Sequence, residues 1–129
     1  MKVLLDTSVI IDVLRKLRGR HEFLELRKQA GDILACSAVT VAEVYAGMRP
    51  GEAAATERFL EGLECIEVTQ NIARHAGSLK YAWERKGVTI DITDAIIAAT
   101  SLNFDLYLAT DNLRHFPMPD LKLLDLPTN

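Results

Sequence analysis

Apolar and polar positions along the chain fall into two alternating kinds of segment, which predicts strands separated by helices. Short apolar runs are typical of buried strands, whereas apolar residues spaced three or four apart indicate helices with one buried face. We expect five strands, at 2–6, 32–36, 65–68, 105–109 and 121–124. Helices are predicted at 9–17, 21–30, 40–48, 53–63, 71–86 and 93–102.

This order of elements predicts an α/β fold, with a mainly parallel central sheet flanked by helices. The chain contains no internal repeat, linker or low-complexity stretch, so one domain is expected over residues 1–129. A chain of 129 residues should bury roughly two-thirds of its unfolded surface, which is enough for a sizeable core.

Composition narrows the class of protein. Apolar residues make up 49% and charged residues 26%, which argues against disorder. No apolar run reaches the ~18 residues of a membrane span, and Asp6 interrupts the N-terminal apolar run too early for a signal peptide. We therefore expect a cytoplasmic globular protein without a membrane partner. Cys36 and Cys65 are predicted to be reduced core residues.

The overall charge argues at first against a nucleic-acid partner. The net charge is −3 and the isoelectric point is near 5.6, whereas proteins that bind phosphate backbones are usually basic. The charge is unevenly placed, however. Through Lys28 the chain has 7 Lys or Arg against 4 Asp or Glu, and from Gln29 onwards it has 8 against 14.

Four acids stand at predicted junctions between elements. Asp6 ends the first strand, Glu43 lies early in the helix after the second strand, Asp94 opens an apolar helix, and Asp111 follows the fourth strand. In a parallel sheet the carboxyl ends of the strands share one edge, and ligands bind in the crevice there. The pattern therefore predicts four carboxylates from distant segments at one site.

Each acid, taken singly, also has a structural explanation. Thr40 and Glu43 fit a capping box, and Asp94 suits a helix N-terminus with Thr93 or Asp91 as its cap. Asp6 and Asp111 fit caps or turns. Capping alone does not require all four acids on one predicted edge, which favours a binding site.

Clustered carboxylates repel one another and need a cation to neutralise them. Oxygen ligands without His or Cys select Mg²⁺ or Mn²⁺ rather than zinc. Such an ion lowers the pKa of a water and polarises a phosphoryl oxygen, so metal-assisted phosphodiester hydrolysis is the chemistry expected of these residues.

Four segments of the chain resemble those of a known family, and they cover nearly its whole length: Leu4–Asp12, Thr40–Gly47, Thr93–Thr100 and Leu108–Phe116. Their order and spacing resemble the PIN-domain ribonucleases, in particular the VapC-type toxins of bacterial and archaeal toxin–antitoxin pairs. The resemblance implies a Mg²⁺- or Mn²⁺-dependent endoribonuclease. It also implies inhibition by a cognate antitoxin, and assembly as a homodimer or a toxin–antitoxin hetero-oligomer.

The resemblance assigns catalytic and metal-binding roles. Asp6, Glu43 and Asp94 match the three most regular acids of the family. Many relatives then have Thr-Arg-Asn followed by an Asp before a Phe; here Asp111 replaces the Arg, and His115 stands where the last Asp is expected. We take Asp111 as the fourth carboxylate, and leave His115 open as a general acid or phosphate contact.

Further polar residues near these acids are predicted to contact substrate or to position the carboxylates and water: Thr7, Ser8, Thr110 and Asn112. Arg15 belongs to a basic cluster with Lys16, Arg18 and Arg20 at the end of the first helix. This cluster fits either a solvated helix end or a strip that holds RNA phosphate. Arg114 is a further candidate phosphate contact. Asp12 is predicted to lie on the surface.

Two other classes of protein compete with the ribonuclease. An aspartyl phosphotransfer protein also places Asp at strand ends. A phosphatase of that class needs a second Asp two residues after the first, where Ser8 stands, and a receiver needs an acid pair and a Lys that are absent. A non-catalytic PIN-like binding scaffold is the other alternative. The sequence leaves open the RNA target and whether one or two metal ions bind.

Overall fold

A computed structural model describes residues 1–128, and within them five strands alternate with six α-helices. The strands are β1 (Lys2–Leu5), β2 (Ile33–Ser37), β3 (Glu64–Ile66), β4 (Tyr107–Ala109) and β5 (Lys122–Leu123). The helices are α1 (Thr7–Leu14), α2 (Arg20–Gln29), α3 (Ala38–Ala46), α4 (Ala53–Glu61), α5 (Gln70–Arg85) and α6 (Ile92–Phe104), and a 3-10 turn covers Leu113–His115. The predicted α/β fold class is confirmed.

The strands form one parallel sheet in the order β3–β2–β1–β4–β5. β1 lies at the centre, where Leu4 pairs with Ala35 of β2 on one side and with Leu108 of β4 on the other. The chain winds outward from β1 to β3 and then returns to add β4 on the opposite side. The order therefore reverses between β1 and β4, and ligands of such sheets bind beyond the strand ends at that point.

Helices cover both faces of the sheet and divide the core into two clusters. Leu4 and Leu108 are fully buried under α5 and α6, together with Ile72 and Ile97. Val3 and Leu5 face the other way, against residues of α1 to α3. Burying each such side chain contributes about 1.5–3 kcal/mol. No helix within residues 1–128 is long and apolar enough to cross a membrane.

The capping of α3 differs from the prediction. The helix begins at Ala38, and its N-cap is Ser37, whose hydroxyl accepts a hydrogen bond from the Val39 backbone N–H at 3.2 Å. The capping box predicted between Thr40 and Glu43 is therefore wrong, because Thr40 lies inside the first turn. α6 begins at Ile92 with Asp91 as its N-cap residue, although the Asp91 side chain makes no capping bond.

Two predictions of burial are also wrong. Asp12 is 9% exposed rather than on the surface, because the chain turns back after α1 and brings Arg18 and Arg20 over its carboxylate. Cys65 is exposed, since β3 is an edge strand, whereas Cys36 on β2 is buried as predicted. Burial raises the pKa of the Cys36 thiol to about 12, and both cysteines are free thiols.

Candidate active site

Three of the four predicted acids meet at the carboxyl edge of the sheet, where the strand order reverses. Asp6 follows β1 and is the N-cap of α1, Glu43 lies on α3, and Asp94 lies in the first turn of α6. Their charges interact, because the carboxylates of Asp6 and Glu43 both raise the pKa of Asp94. The fold thus brings together acids that are far apart in the sequence.

Asp6 is the most enclosed of these acids, with 2% of its surface exposed. Its Oδ1 accepts a hydrogen bond from the Thr7 backbone N–H at 2.8 Å, and its Oδ2 accepts one from the Thr110 hydroxyl at 2.7 Å. Burial raises the pKa of the Asp6 carboxyl and the charge of Glu43 adds to this, while the bonds from Thr110 and Thr7 oppose it. Asp6 is therefore a fixed carboxylate in an environment that disfavours its charge.

Glu43 is joined to the start of α1 by a side-chain hydrogen bond. The Thr7 hydroxyl donates to Glu43 Oε1 at 2.7 Å and lies 3.3 Å from the hydroxyl oxygen of buried Thr40. Thr7 therefore contacts two acids at once, Asp6 through its backbone and Glu43 through its hydroxyl. Thr7 thus lies between two of the predicted acids, and its contact with substrate stays a prediction.

Asp94 has the most perturbed carboxyl of the site. Burial, followed by the charge of Asp6, raises the pKa of Asp94 to about 6, whereas His115 acts in the opposite direction. His115 Nδ1 lies 3.1 Å from Asp94 Oδ2, and half of the His115 side chain is exposed. The sequence left the role of His115 open; the structure makes it a direct neighbour of Asp94.

The chemistry of these groups fits a divalent cation. A cation beside Asp6 and Asp94 would relieve the repulsion that raises their pKa values. The Ser8 hydroxyl, in the first turn of α1, is buried near the Asp6 carboxylate, where it lowers the pKa of Asp6 and makes no short hydrogen bond within residues 1–128. In the described chain no three Asp, Glu, His or Cys side chains lie close enough together to hold a metal ion by themselves. Mg²⁺ does not need three such side chains, because it keeps several waters and binds proteins through one or two carboxylates.

The fourth predicted acid, Asp111, has arginine partners. Arg20 donates to its two carboxylate oxygens at 2.6 and 3.0 Å, and Arg18 donates to Oδ1 at 3.3 Å. Asp111 follows Thr110 directly in the chain, so it borders the site. Whether its carboxylate also reaches a metal ion stays a prediction.

The predicted basic strip is largely neutralised by acids. Arg20 is 1% exposed and begins α2, so neither a solvated helix end nor a strip that holds RNA phosphate describes this residue. Arg15 Nε lies 3.6 Å from Glu52 Oε2, and Arg18 pairs with Asp12 and Asp111. Arg114 is exposed in the 3-10 turn, where the structure gives its side chain no acidic partner within residues 1–128. Exposed Asn112 donates its backbone N–H to the Thr110 hydroxyl at 3.0 Å.

Comparison with known proteins agrees with this fold. The family described as the PIN domain matches residues 3–118, so the chain belongs to the PIN-domain family. Within that family it is similar to VapC ribonucleases. Ribonuclease VapC19 of Mycobacterium tuberculosis is 38% identical to it over 120 residues, which cover 92% of this chain and 96% of that protein. The predicted family resemblance is confirmed.

Solved structures show the same fold. VapBC2 from Rickettsia felis, bound to a DNA fragment from its promoter, matches 96% of this chain and 98% of its own with a TM-score of 0.85, at 24% identity. DNA-bound VapBC from Salmonella typhimurium matches 97% of this chain and 98% of its own with a TM-score of 0.81, at 26% identity. Both structures extend the agreement to nearly the whole chain.

Proposed function

We propose that this chain is a Mg²⁺- or Mn²⁺-dependent endoribonuclease toxin of the VapC type, which hydrolyses RNA phosphodiester bonds and is neutralised by a cognate antitoxin. The observation that carries the proposal is the convergence of Asp6, Glu43 and Asp94 at the reversal of strand order, with raised pKa values at Asp6 and Asp94. The ribonuclease activity named for VapC19 supports RNA as the substrate.

In this proposal Asp6, Glu43 and Asp94 hold the cation together, in part through its bound waters. When bound, a divalent cation supplies a Lewis acid for the phosphodiester and lowers the pKa of water at the site. The protein contributes fixed ligand positions: the Thr110 hydroxyl holds Asp6 and the Thr7 hydroxyl holds Glu43. Such hydrogen bonds orient metal ligands, and their loss typically costs about 10- to 100-fold in metal affinity or activity.

Substrate contacts fall to polar residues around the acids. The Ser8 hydroxyl, near Asp6, is placed to hydrogen-bond water or a phosphate oxygen at the site. Arg114 and Asn112 are exposed beside His115, where they can contact the RNA backbone. Arg15 contributes only after leaving its long contact with Glu52, so we expect it to matter less than Arg114.

The antitoxin and the assembly belong to the same proposal. VapBC complexes among the structural relatives support a hetero-oligomer with an antitoxin, and a homodimer is the expected state without it. Because the acidic site attracts cations, we expect the antitoxin to lay a basic or apolar segment across it. Co-purification from the native host tests this, and full activity of a chain that brings no partner with it would contradict it.

The proposed activity is tested with the purified chain, free of any antitoxin, and a structured RNA. Cleavage should require Mg²⁺ or Mn²⁺ and stop with EDTA. Asp94→Asn should lower cleavage at least about 100-fold, since it removes a ligand charge. Asp120→Asn is the matched control, because Asp120 is exposed in a loop outside the acid cluster. Circular dichroism should show both variants folded.

Each alternative has its own outcome. Cleavage that survives EDTA, or an Asp94→Asn variant as active as Asp120→Asn, would overturn the ribonuclease proposal. Release of phosphate from small phosphoesters with the RNA left intact would indicate a phosphotransfer protein. Absence of both activities, in a folded chain that still binds the antitoxin, would indicate a binding scaffold.

A further inference from the structure

A buried arginine lies beside the candidate site, where its positive charge is unfavourable unless other groups compensate it. Arg20 is 1% exposed and is the first residue of α2. A helix N-terminus carries partial positive charge and disfavours a cation, and a buried guanidinium is tolerated only when it is paired. Its neighbours must therefore supply the compensation.

Nearly all of that compensation comes from segments remote in the sequence. Arg20 makes a two-fold contact with Asp111, with its Nη1 and Nη2 donating to the two carboxylate oxygens at 3.0 and 2.6 Å. Its Nε donates to the Pro127 carbonyl at 2.9 Å, and its Nη1 lies 3.7 Å from Asp12 Oδ2. A planar guanidinium bound at three points fixes the relative position of these segments.

The contact between Arg20 and Asp111 is linked to the acid cluster through Thr110. Asp111 lies between Thr110, whose hydroxyl donates to Asp6 Oδ2, and Asn112, whose backbone N–H donates to the same hydroxyl. The Thr110 hydroxyl is thus held from both sides within a three-residue loop. Because Asp111 is the middle residue of that loop, holding its carboxylate holds the loop.

The segment before Arg20 shows that this contact is maintained against backbone strain. Lys16 and Arg18 both have φ near 55°, the left-handed region that residues with a side chain seldom adopt. Such conformations persist where surrounding contacts hold them, and they cluster at functional sites. Here the turn between α1 and α2 places Arg20 against Asp111.

We propose that buried Arg20 and partly buried Asp111 form a clamp that positions the 110–112 loop, so that Thr110 keeps its hydroxyl on Asp6. They act as positioning residues, in contact with neither metal nor RNA. The inference rests on the proposed function, because it assigns Asp6 to the metal. It gives Asp111 a different role from that of a fourth metal ligand, and the two roles predict different results.

The experiment measures Mn²⁺ affinity by calorimetry, kcat and KM for RNA cleavage, and thermal unfolding. The variants are Arg20→Met, Asp111→Asn, the double variant Arg20→Met with Asp111→Asn, and Thr110→Val with its conservative partner Thr110→Ser. Arg74→Met and Asp120→Asn are matched controls, since both residues are exposed on other parts of the chain. Asp94→Asn is the reference for loss of a ligand.

Each single clamp variant should weaken Mn²⁺ binding and lower kcat, both about tenfold, as expected for loss of a group that orients a ligand. KM should change less than about threefold, because the RNA contacts remain. Thr110→Val should reproduce both losses with the clamp intact, and Thr110→Ser should restore them. The clamp variants should lose less Mn²⁺ affinity than Asp94→Asn.

The double variant distinguishes a role of the clamp in positioning the loop from a role in stability alone. Arg20→Met leaves Asp111 with only its longer contact to Arg18, and Asp111→Asn leaves buried Arg20 with only Asp12 as an acidic neighbour. The double variant removes both charges, so its unfolding temperature should recover towards the wild-type value. Mn²⁺ affinity and kcat should stay as low as in the single variants, because effects that act through one contact do not add. Recovery of affinity and kcat together with stability would overturn the clamp.

Two further results would also overturn it. If Asp111 were a metal ligand, Arg20→Met would bind Mn²⁺ as tightly as the wild type or more so, and only Asp111→Asn would resemble Asp94→Asn. A wild-type chain that binds no Mn²⁺ would leave no site to position. A wild-type chain that binds Mn²⁺ without cleaving RNA would refute the proposed function alone, and the Mn²⁺ affinities would still decide for or against the clamp.

Discussion

At the scale of single residues, the site holds carboxylates in surroundings that disfavour their negative charge. Asp94 and Asp6 are held as close acids in a partly buried place, where their charges are unfavourable without a cation. Hydroxyl groups of Thr7 and Thr110 bond the carboxylates and keep them in position. This combination of repelling acids and orienting donors is what a metal site requires and what stability alone does not.

The raised pKa of Asp94 predicts how stability depends on pH. The folded carboxyl ionises near pH 6 and the unfolded one near its ordinary value of 3.8, so the folded state holds more protons between these values. In EDTA the wild-type chain should therefore lose stability as pH rises from about 4 to about 7. The loss should be complete above the folded pKa.

Replacement of Asp94 should remove its own part of that dependence and leave the part that the raised pKa of Asp6 contributes. In EDTA at pH 7.5 we expect Asp94→Asn to unfold about 4 °C or more above the wild type, which corresponds to roughly 1 kcal/mol. Mg²⁺ should then raise the unfolding temperature of the wild type and leave that of the variant unchanged. Thermal unfolding with and without Mg²⁺ measures both effects. A lower unfolding temperature for the variant in EDTA would contradict the assignment of Asp94.

Thr7 offers a second test at a single side chain. Thr7→Val keeps the shape and the backbone bond to Asp6 but removes the hydroxyl that donates to Glu43. Mn²⁺ affinity should fall about tenfold. Thr7→Ser retains the donor and should stay within about twofold of the wild type, as measured by calorimetry. Equal binding by the Val and Ser variants would mean that the hydroxyl does not orient Glu43.

The acids of the site could be read from the sequence, whereas most of their partners could not. Asp6, Glu43 and Asp94 follow elements whose apolar patterns are clear, so the geometry of a parallel sheet predicts where they meet. The bond between Arg20 and Asp111 joins residues 91 positions apart, and no periodic pattern marks it. One signal was present: an arginine at the start of a helix opposes the helix dipole and so calls for an acidic partner.

Secondary-structure elements show where local signals compete. Ser37 and Thr40 both suit an N-cap, and Thr40 has the acid three residues later that a capping box requires. In the structure Ser37 ends β2 at a fully buried position and caps α3, while Thr40 is drawn into contact with Thr7. Tertiary packing therefore favours Ser37 as the cap although Thr40 has the stronger local signal, and Glu43 remains available to the site.

That choice predicts different effects of two substitutions in α3. Ser37→Ala should lower the free energy of unfolding by about 1 kcal/mol, or roughly 4 °C in unfolding temperature, because the cap of the Val39 N–H is lost. Glu43→Gln should not lower it in EDTA, since it removes a charge beside Asp6 and no capping bond. Thermal unfolding compares the two. Destabilisation by Glu43→Gln would restore the capping-box interpretation.

The whole molecule carries a net charge of −3, which by itself argues against binding of RNA. Part of that charge is concentrated in the acid cluster, where the proposed cation would reverse the local sign. The basic residues from Arg15 to Arg20 do not offset it, because three of the four lie against acids. Electrostatic attraction for RNA should therefore depend on the metal.

This dependence can be measured as RNA binding with and without metal. In EDTA we expect little binding of a short, cleavage-resistant phosphorothioate RNA by fluorescence anisotropy at physiological salt. Mn²⁺ should strengthen binding by about tenfold or more, and higher salt should weaken it again. Asp120→Asn provides the control for removal of one surface charge. Equally tight binding in EDTA would show that surface arginines, rather than the metal site, attract the RNA.

By itself the sequence determined the order of strands and helices, the parallel sheet and the three acids at its edge. These follow from periodic apolar patterns and from the fixed direction of parallel strands, both of which are local or topological properties. The tertiary structure decided the cap of α3, the burial of Asp12 and Arg20, the contact of His115 with Asp94 and the partner of Asp111. Each of these depends on which side chains from distant parts of the sequence lie against one another, and only the folded structure determines that.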